Sequence, residues 1–483
     1  MGVLEGLEPR AVFHFFEEIC QIPHGSGNTD QISNYLVSFA KERNLEHYQD
    51  KLGNIIIIKE ATAGYEQAPP VLVQGHMDMV AVKEPDCSIN MEKEGLSLLV
   101  EGDYVSAKGT SLGGDDGIAI AYALAVLDSD EIPHPRLEVV MTIDEEVGME
   151  GAAYVDLSCC RAHIMMNLDS EEEGIFLAGC AGGARVDLKN SYLTGQREGE
   201  LLTLSVSGLQ GGHSGVEIHK ERANANCLLI RILRELMETG DLCVISLKGG
   251  SADNVIPDSA RAEVLFCGDQ EAVKARLAEI EKDIKIELRD KDAGFSLQIK
   301  FDKMQKKECM TKEDSKQLIR FLYTLPNGVQ AMSGAMKDLV ETSLNFGTLS
   351  VSNGELKAGF SVRSSVESSK KSLILRLKDL GALSGVTVSV SGNYPGWIYR
   401  KDSPLRDKIE RIYQEMYGKE PQIQAIHAGL ECGLFAEKIP DLDCVSMGPD
   451  IEDIHTTKER LSISSTNRVY QFFLKVLEDM KWT

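Results

Sequence analysis

Short apolar runs that break off at a histidine or an acid recur four times along the chain, and their placement predicts how it is organised. In 136–151, RLEVVMTIDEEVGMEG, the residues Leu137, Val139, Val140, Met141 and Ile143 read as a buried strand that stops at Asp144, Glu145 and Glu146. Val71-Leu72-Val73 runs into Gly75-His76-Met77-Asp78, and His163-Ile164-Met165-Met166 runs into Asn167-Leu168-Asp169. Cys444-Val445-Ser446-Met447 leads within a few residues to His455. In an open α/β sheet the carboxyl ends of the strands border the crevice where ligands sit, so groups scattered along the chain converge there. Helical periodicity predicts amphipathic helices over 8–20, with Val12, Phe13, Phe16 and Ile19 on one face, and over about 30–43, 403–417 and 465–480. The stretch 109–128, GTSLGGDDGIAIAYALAVLD, reads as a glycine-rich loop carrying Asp115 and Asp116, then a helix of small and apolar residues buried against the sheet.

After about Gly183 the pattern changes to strands, charged helices and turns, and the earlier pattern returns near 394. Within the changed segment SARAEVLF (259–266), a helix through Ile280 and the strand KIEL resemble ELKAGFSVRSS (355–365), a helix through Leu380 and the strand VTVSV. The expected fold class is therefore α/β. A discontinuous domain, 1–185 and 394–483, has a mixed sheet with flanking helices, and an inserted α+β lid, 186–393, is built from two similar βαβ-type units.

The 483 residues are too many for one ordinary core. The 75 Asp+Glu against 51 Lys+Arg give a net charge of -24, which excludes nucleic acid and anionic membrane surfaces as general partners. No stretch approaches the ~20 apolar residues of a membrane span, and the start lacks a basic, then apolar, secretory pattern, so a cytoplasmic protein is expected. Eleven cysteines without CxxC spacing read as reduced thiols.

His76, Asp115, Glu146, Asp169 and His455 then form a candidate metal cluster of imidazoles and carboxylates, a donor set suited to zinc. Five ligands exceed one open tetrahedral site, but with one carboxylate bridging they serve two ions ~3.5–4 Å apart, which together activate a water and polarise the carbonyl it attacks. Glu145, beside a ligand, is the expected general base. Asp78, two residues beyond His76, is placed to accept the other imidazole N–H. Singly, each motif has a plainer reading: HxD pairs are common, and paired acids often complement a helix dipole. A dinucleotide loop at 109–117 is excluded, because the GxGxxG spacing is missing and paired aspartates repel a pyrophosphate.

With those residues in hand, the chain resembles the metal-dependent dipeptidases of the carboxypeptidase and aminoacylase superfamily over essentially its whole length. The resemblance is carried by QGHMDMV (74–80), GTSLGGDDGIAIAYALAVL (109–127), EEVGMEGA (145–152), NLDSEEEG (167–174), GCAGG (179–183), GLQGGHSGVEIHKERANAN (208–226), NVIP (254–257), HAGLECG (427–433) and SMGPDIEDIH (446–455). It implies a zinc-peptidase catalytic domain with two divalent ions, most often Zn2+ with Mn2+ or Co2+ as substitutes. His76 and Asp169 are expected on one ion, Glu146 and His455 on the other, and Asp115 between them. It further implies His213 as a donor to the tetrahedral oxyanion, and Asn254, Arg363 and Gly429 as substrate contacts, Arg363 for the terminal carboxylate. Around the last ligand relatives commonly read Ala-His-Ser-Pro where this chain has Ile454-His455-Thr456-Thr457.

The expected activity is hydrolysis of Xaa-His-type, carnosine-like dipeptides, with lid closure bringing His213 and Arg363 onto the substrate. Family analogy adds a homodimer. A tripeptidase, carboxypeptidase or N-acyl amino acid deacylase would share the metal site, and a non-catalytic metal- or peptide-binding protein is the alternative of a different class.

Overall fold

In the computed structural model, which describes residues 2–481, the apolar runs lie side by side. One sheet has eight strands in the order Glu46–Gln49, Ile55–Lys59, Leu137–Thr142, Val71–His76, Ile164–Asn167, Asp443–Ser446, Ile175–Cys180 and Gln422–Ile426. The four from Leu137–Thr142 to Asp443–Ser446 are mutually parallel, so their carboxyl ends share one edge. Every residue of Val71–His76 and of Leu137–Thr142 is buried, which explains why these strands are apolar without alternation. Helix Gly114–Asp128 is buried from its first residue to Leu127 and packs on helix Arg10–Cys20 and on strand Val71–His76. Gly75 makes that contact possible, because a Cβ there would stand 2.6 Å from the Ala119 Cβ and 2.5 Å from Asp116 Oδ2. Helices Asp30–Glu42, Pro404–Tyr417 and Ile463–Asp479 occupy the other predicted positions.

A second, four-stranded sheet orders Ile451–Glu452, Arg460–Ser462, Tyr104–Ala107 and Leu98–Glu101. It holds both ends of the loop that carries His455.

The chain forms two units, each with its own apolar core. The first comprises residues up to Gly179, Tyr399–Ala425 and the chain from Leu430 onward, and the second comprises Cys180–Ile398 with Ile426–Gly429. The second unit is a long antiparallel sheet ordered Ser296–Met310, Thr194–Ser207, Ala260–Gly268, Gly240–Gly249, Val340–Ser352, Glu355–Ser364, Gly182–Ser191 and Thr387–Tyr394. Its internal repeat goes further than the sequence suggests. Thr194–Ser207, helix Ala225–Leu236, Gly240–Gly249, Ala260–Gly268, helix Gln270–Leu288 and Ser296–Met310 make one βαββαβ unit. The same order is made by Gly182–Ser191, helix Lys312–Thr324, Val340–Ser352, Glu355–Ser364, helix Glu367–Ser384 and Thr387–Tyr394. The repeat from Thr194 to Met310 is thus inserted after the first strand, Gly182–Ser191, of the other repeat.

One expected strand is corrected. Lys285-Ile286-Glu287-Leu288 is the last turn of helix Gln270–Leu288, because Val273, Leu277, Ile280 and Ile284 bury one continuous helical face and nothing breaks it. The strand of that unit is Ser296–Met310.

Candidate metal centre and substrate-binding residues

His76 closes its strand with a buried ring, whose Nδ1 lies 2.9 Å from the Asp78 carbonyl oxygen and 3.5 Å from Asp78 Oδ1. A proton on Nδ1 is therefore held from behind, and Nε2 faces Asp115 Oδ1 at 3.1 Å and Asp169 Oδ1 at 3.6 Å. The Asp115 carboxylate spans two imidazoles, with its Oδ2 3.2 Å from His455 Nε2. That nitrogen also lies 2.8 Å from Glu146 Oε1. The non-glycine residues Asp144 and His455 take left-handed backbone, at φ 52° and 61°, a sparsely populated region that the surrounding structure must enforce.

Among the described residues three groups have donor atoms mutually within 4.8 Å: Asp115, Glu146 and His455; His76, Asp116 and Asp169; and His76, Glu145 and Glu146. The structure thus brings together His76, Asp115, Glu145, Glu146, Asp169 and His455, with Asp78 behind them. Asp116 is an addition to the sequence reading, but its Oδ2 is engaged by the His76 backbone N–H at 3.0 Å, which leaves Asp115 as the carboxylate shared between the imidazoles.

Packing this many acids at one edge shifts their protons. Burial, with the negative Asp169, Glu431 and Glu146 nearby, pushes Glu145 up to about 9, although His76 opposes it. Burial likewise raises Asp169 to about 6 and Glu171 to about 7, in each case with help from neighbouring carboxylates. Burial resists a charged His76, yet Asp115, Asp169 and Asp78 hold its pKa well above the usual histidine value. Asp115 and Glu146 push His455 to about 10. Without a metal, protons on the imidazoles offset part of the carboxylate charge. A divalent cation offsets it directly, and imidazole with carboxylate is its expected donor set.

Three carboxylates build the site from behind, two of them through backbone N–H groups and one through side chains. Asp78 is held below the ordinary aspartate range: burial opposes its charge, but His76, the Glu145 N–H and the Ser26 hydroxyl outweigh burial. Glu459, buried four residues after His455, accepts N–H bonds from Leu112 at 2.8 Å, Gly113 at 3.1 Å, Gly114 at 2.7 Å and Asp115 at 3.4 Å, so one side chain seats the loop that carries Asp115. Glu431, fully buried, accepts from Gln74 Nε2 at 2.5 Å and Thr142 Oγ1 at 2.6 Å, while Gln74 Oε1 accepts from Asn167 at 2.6 Å. These contacts join the strands that lead to His76, to Glu145–Glu146 and to Asp169.

In the second unit, His213 Nδ1 accepts from the N–H groups of Gly215 and Val216, both at 3.2 Å. Two donors on Nδ1 place the imidazole proton on Nε2, where it is available to an oxyanion. Burial lowers the His213 pKa, and the positive Arg363 lowers it further, so the ring stays neutral. Asn254 is exposed, and its carbonyl accepts from the Ser214 N–H at 2.8 Å. Arg363 is 8% exposed, with NH1 donating to the Tyr394 hydroxyl at 3.1 Å, and a Cβ at Gly429 would stand 2.8 Å from the Tyr394 ring. His427, to which the sequence reading assigns no role, lies with its Nε2 2.7 Å from Ser343 Oγ. Burial and Arg363 lower its pKa to about 3.

The family model for peptidase family M20/M25/M40 matches residues 72–479. The chain is 38% identical to the cytosol non-specific dipeptidase of Escherichia coli (strain K12), over 99% of each chain. Among solved structures it superposes on aminoacylhistidine dipeptidase from Vibrio alginolyticus with a TM-score of 0.94 and 34% identity, covering 99% of this chain and 98% of that one. A Staphylococcus aureus tripeptidase shares the fold, with a TM-score of 0.57 and 16% identity over 98% of this chain and 99% of its own.

Proposed function

The chain belongs to peptidase family M20/M25/M40, a metal-dependent dipeptidase by its full-length relatives, and on that premise we propose that it hydrolyses dipeptides with a free carboxylate, Xaa-His peptides among them. The first unit serves as the catalytic domain and the second as the lid. The observation that carries the reading is the single Asp115 carboxylate facing His76 and His455 with Glu145 beside it. His76 and Asp169 would hold one divalent ion and Glu146 and His455 a second, with Asp115 available to both. When bound, the ions, most naturally zinc, would supply Lewis acidity for the scissile carbonyl and lower the pKa of water.

The remaining steps belong to the chain's own groups. Glu145 takes a proton from the attacking water and returns it to the leaving amine. His213 donates from Nε2 to the oxygen that becomes negative, and Arg363 pairs with the terminal carboxylate, which selects dipeptides over longer peptides. Asn254 and Gly429 line the substrate's path. Because the base and every ligand are present, a non-catalytic binding role is disfavoured. The name of the Escherichia coli relative supports a cytoplasmic location, and no helix among the described residues is long and apolar enough to cross a membrane.

The test is a panel of Xaa-His dipeptides including carnosine, other dipeptides, tripeptides and N-acyl amino acids, assayed with zinc or manganese. Cleavage confined to dipeptides is expected. Faster turnover of tripeptides or N-acyl amino acids assigns the chain to another branch of the family.

A further inference from the structure

We propose that Tyr394 is a positioning residue that fixes the Arg363 guanidinium for a free terminal carboxylate and so sets the preference for uncapped peptides. The inference rests on the reading of Arg363 as the carboxylate's partner.

Four residues stand in register across adjacent strands of the second unit: Tyr394 opposite Gly183, Gly183 opposite Arg363, and Arg363 opposite Ser343. Neighbouring strands lie about 4.8 Å apart, so Tyr394 and Arg363 are separated by about 10 Å of sheet with Gly183 between them. The tyrosine reaches the arginine across a position that has no side chain. A Cβ at Gly183 would stand 2.5 Å from both Cζ and Oη of the tyrosine, so only glycine leaves the crossing open. On the opposite side the ring is packed by Gly429, and the buried Lys370 ammonium donates to the Tyr394 carbonyl. Glycines of two separate motifs, GCAGG and HAGLECG, are thereby accounted for by one phenol ring.

The consequence for Arg363 is directional. Its NH1 is committed to the Tyr394 hydroxyl at 3.1 Å, whereas among the described residues its Nε has no hydrogen-bond partner although the side chain is 8% exposed. A buried guanidinium with an unmatched donor calls for a further acceptor, supplied by water or by a ligand. With NH1 held, the edge formed by Nε and NH2 is the pair of parallel donors left to grip both oxygens of a carboxylate. On the other flank, Ser343 and the neutral His427 bond to each other and place no competing carboxylate there.

The experiment compares the metal-loaded enzyme on a dipeptide and on the same dipeptide with an amidated C-terminus. Tyr394→Phe is expected to raise KM for the free dipeptide about tenfold with kcat within about twofold, and to leave the amide's KM unchanged, so that the preference for the free acid falls about tenfold. A tyrosine that only stabilises the fold would lower activity on both substrates alike, leaving the preference intact and overturning the proposal. Arg363→Ala separates the two layers of the argument. If it leaves the preference intact, the carboxylate reading fails, and if it removes the preference while Tyr394→Phe retains it, only the tyrosine's role fails. Gly183→Ala, checked for an unchanged melting temperature, is expected to reproduce the Tyr394→Phe effect, and a folded Gly183→Ala enzyme with full preference would overturn the proposal independently.

Discussion

Asp78 organises the backbone that carries Glu145 and Glu146. Its two oxygens accept the N–H groups of Glu145 at 3.0 Å and Glu146 at 3.4 Å while His76 leans on it from the other side, so one carboxylate orients the His76 ring and the backbone of Glu145 and Glu146. Replacing Glu145 by glutamine keeps this frame and removes only the group that accepts a proton. Glu145→Gln is therefore expected to retain bound metal, measured by atomic absorption, while kcat falls by about 10²–10⁴. Loss of the metal, or full turnover with metal present, would take Glu145 out of the proton's path. The convergence of these side chains was legible because His76, Glu145, Glu146 and Asp169 each follow a short apolar run by a few residues and Asp115 sits in a glycine-rich loop. Glu459 was not, because it acts on the backbone of Leu112–Asp115, some 345 positions earlier, and nothing local distinguishes it from a surface acid. Tyr394 escaped for the same reason, since its role is set by strand register.

The strands are tied together beneath the site by Glu431, and that tie has a pH signature. Burial raises the Glu431 pKa from 4.5 to about 8, so across that interval the folded metal-free chain holds a proton that the unfolded chain has released. Stability then falls as pH rises from about 5 to 8, because the folded state binds more protons than the unfolded one. Glu431→Gln has no proton to lose, and urea unfolding of the metal-free protein at several pH values is expected to show a flatter dependence than the parent. Equal slopes would mean that Glu431 is ionised in the fold throughout. At this scale the sequence pattern was readable where burial is continuous, as in Val71–His76 and Gly114–Asp128. It misled at 285–288, where a β-branched residue between charges looks like a strand but completes a helical face. The last three residues of HAGLECG open helix Glu431–Lys438, whose buried first acid is bonded to the sheet rather than to solvent.

Across the whole molecule, the sequence pattern changes near 183 and reverts near 394, whereas the second unit of the structure comprises Cys180–Ile398 with Ile426–Gly429. The duplicated βαββαβ architecture was only half visible, since the first strand of the later repeat lies before the whole of the earlier one. An overall charge of -24 gives no hint of where a cation belongs, whereas the converging strand ends do. The claim on which the rest depends is that side chains from residue 76 to residue 455 gather two ions around Asp115. Anomalous diffraction at the zinc edge from crystals of the zinc-loaded enzyme tests it most directly. Two peaks sharing the Asp115 carboxylate, one beside His76 and Asp169 and the other beside Glu146 and His455, are predicted, and an active enzyme whose zinc peaks lie away from Asp115 would contradict the account.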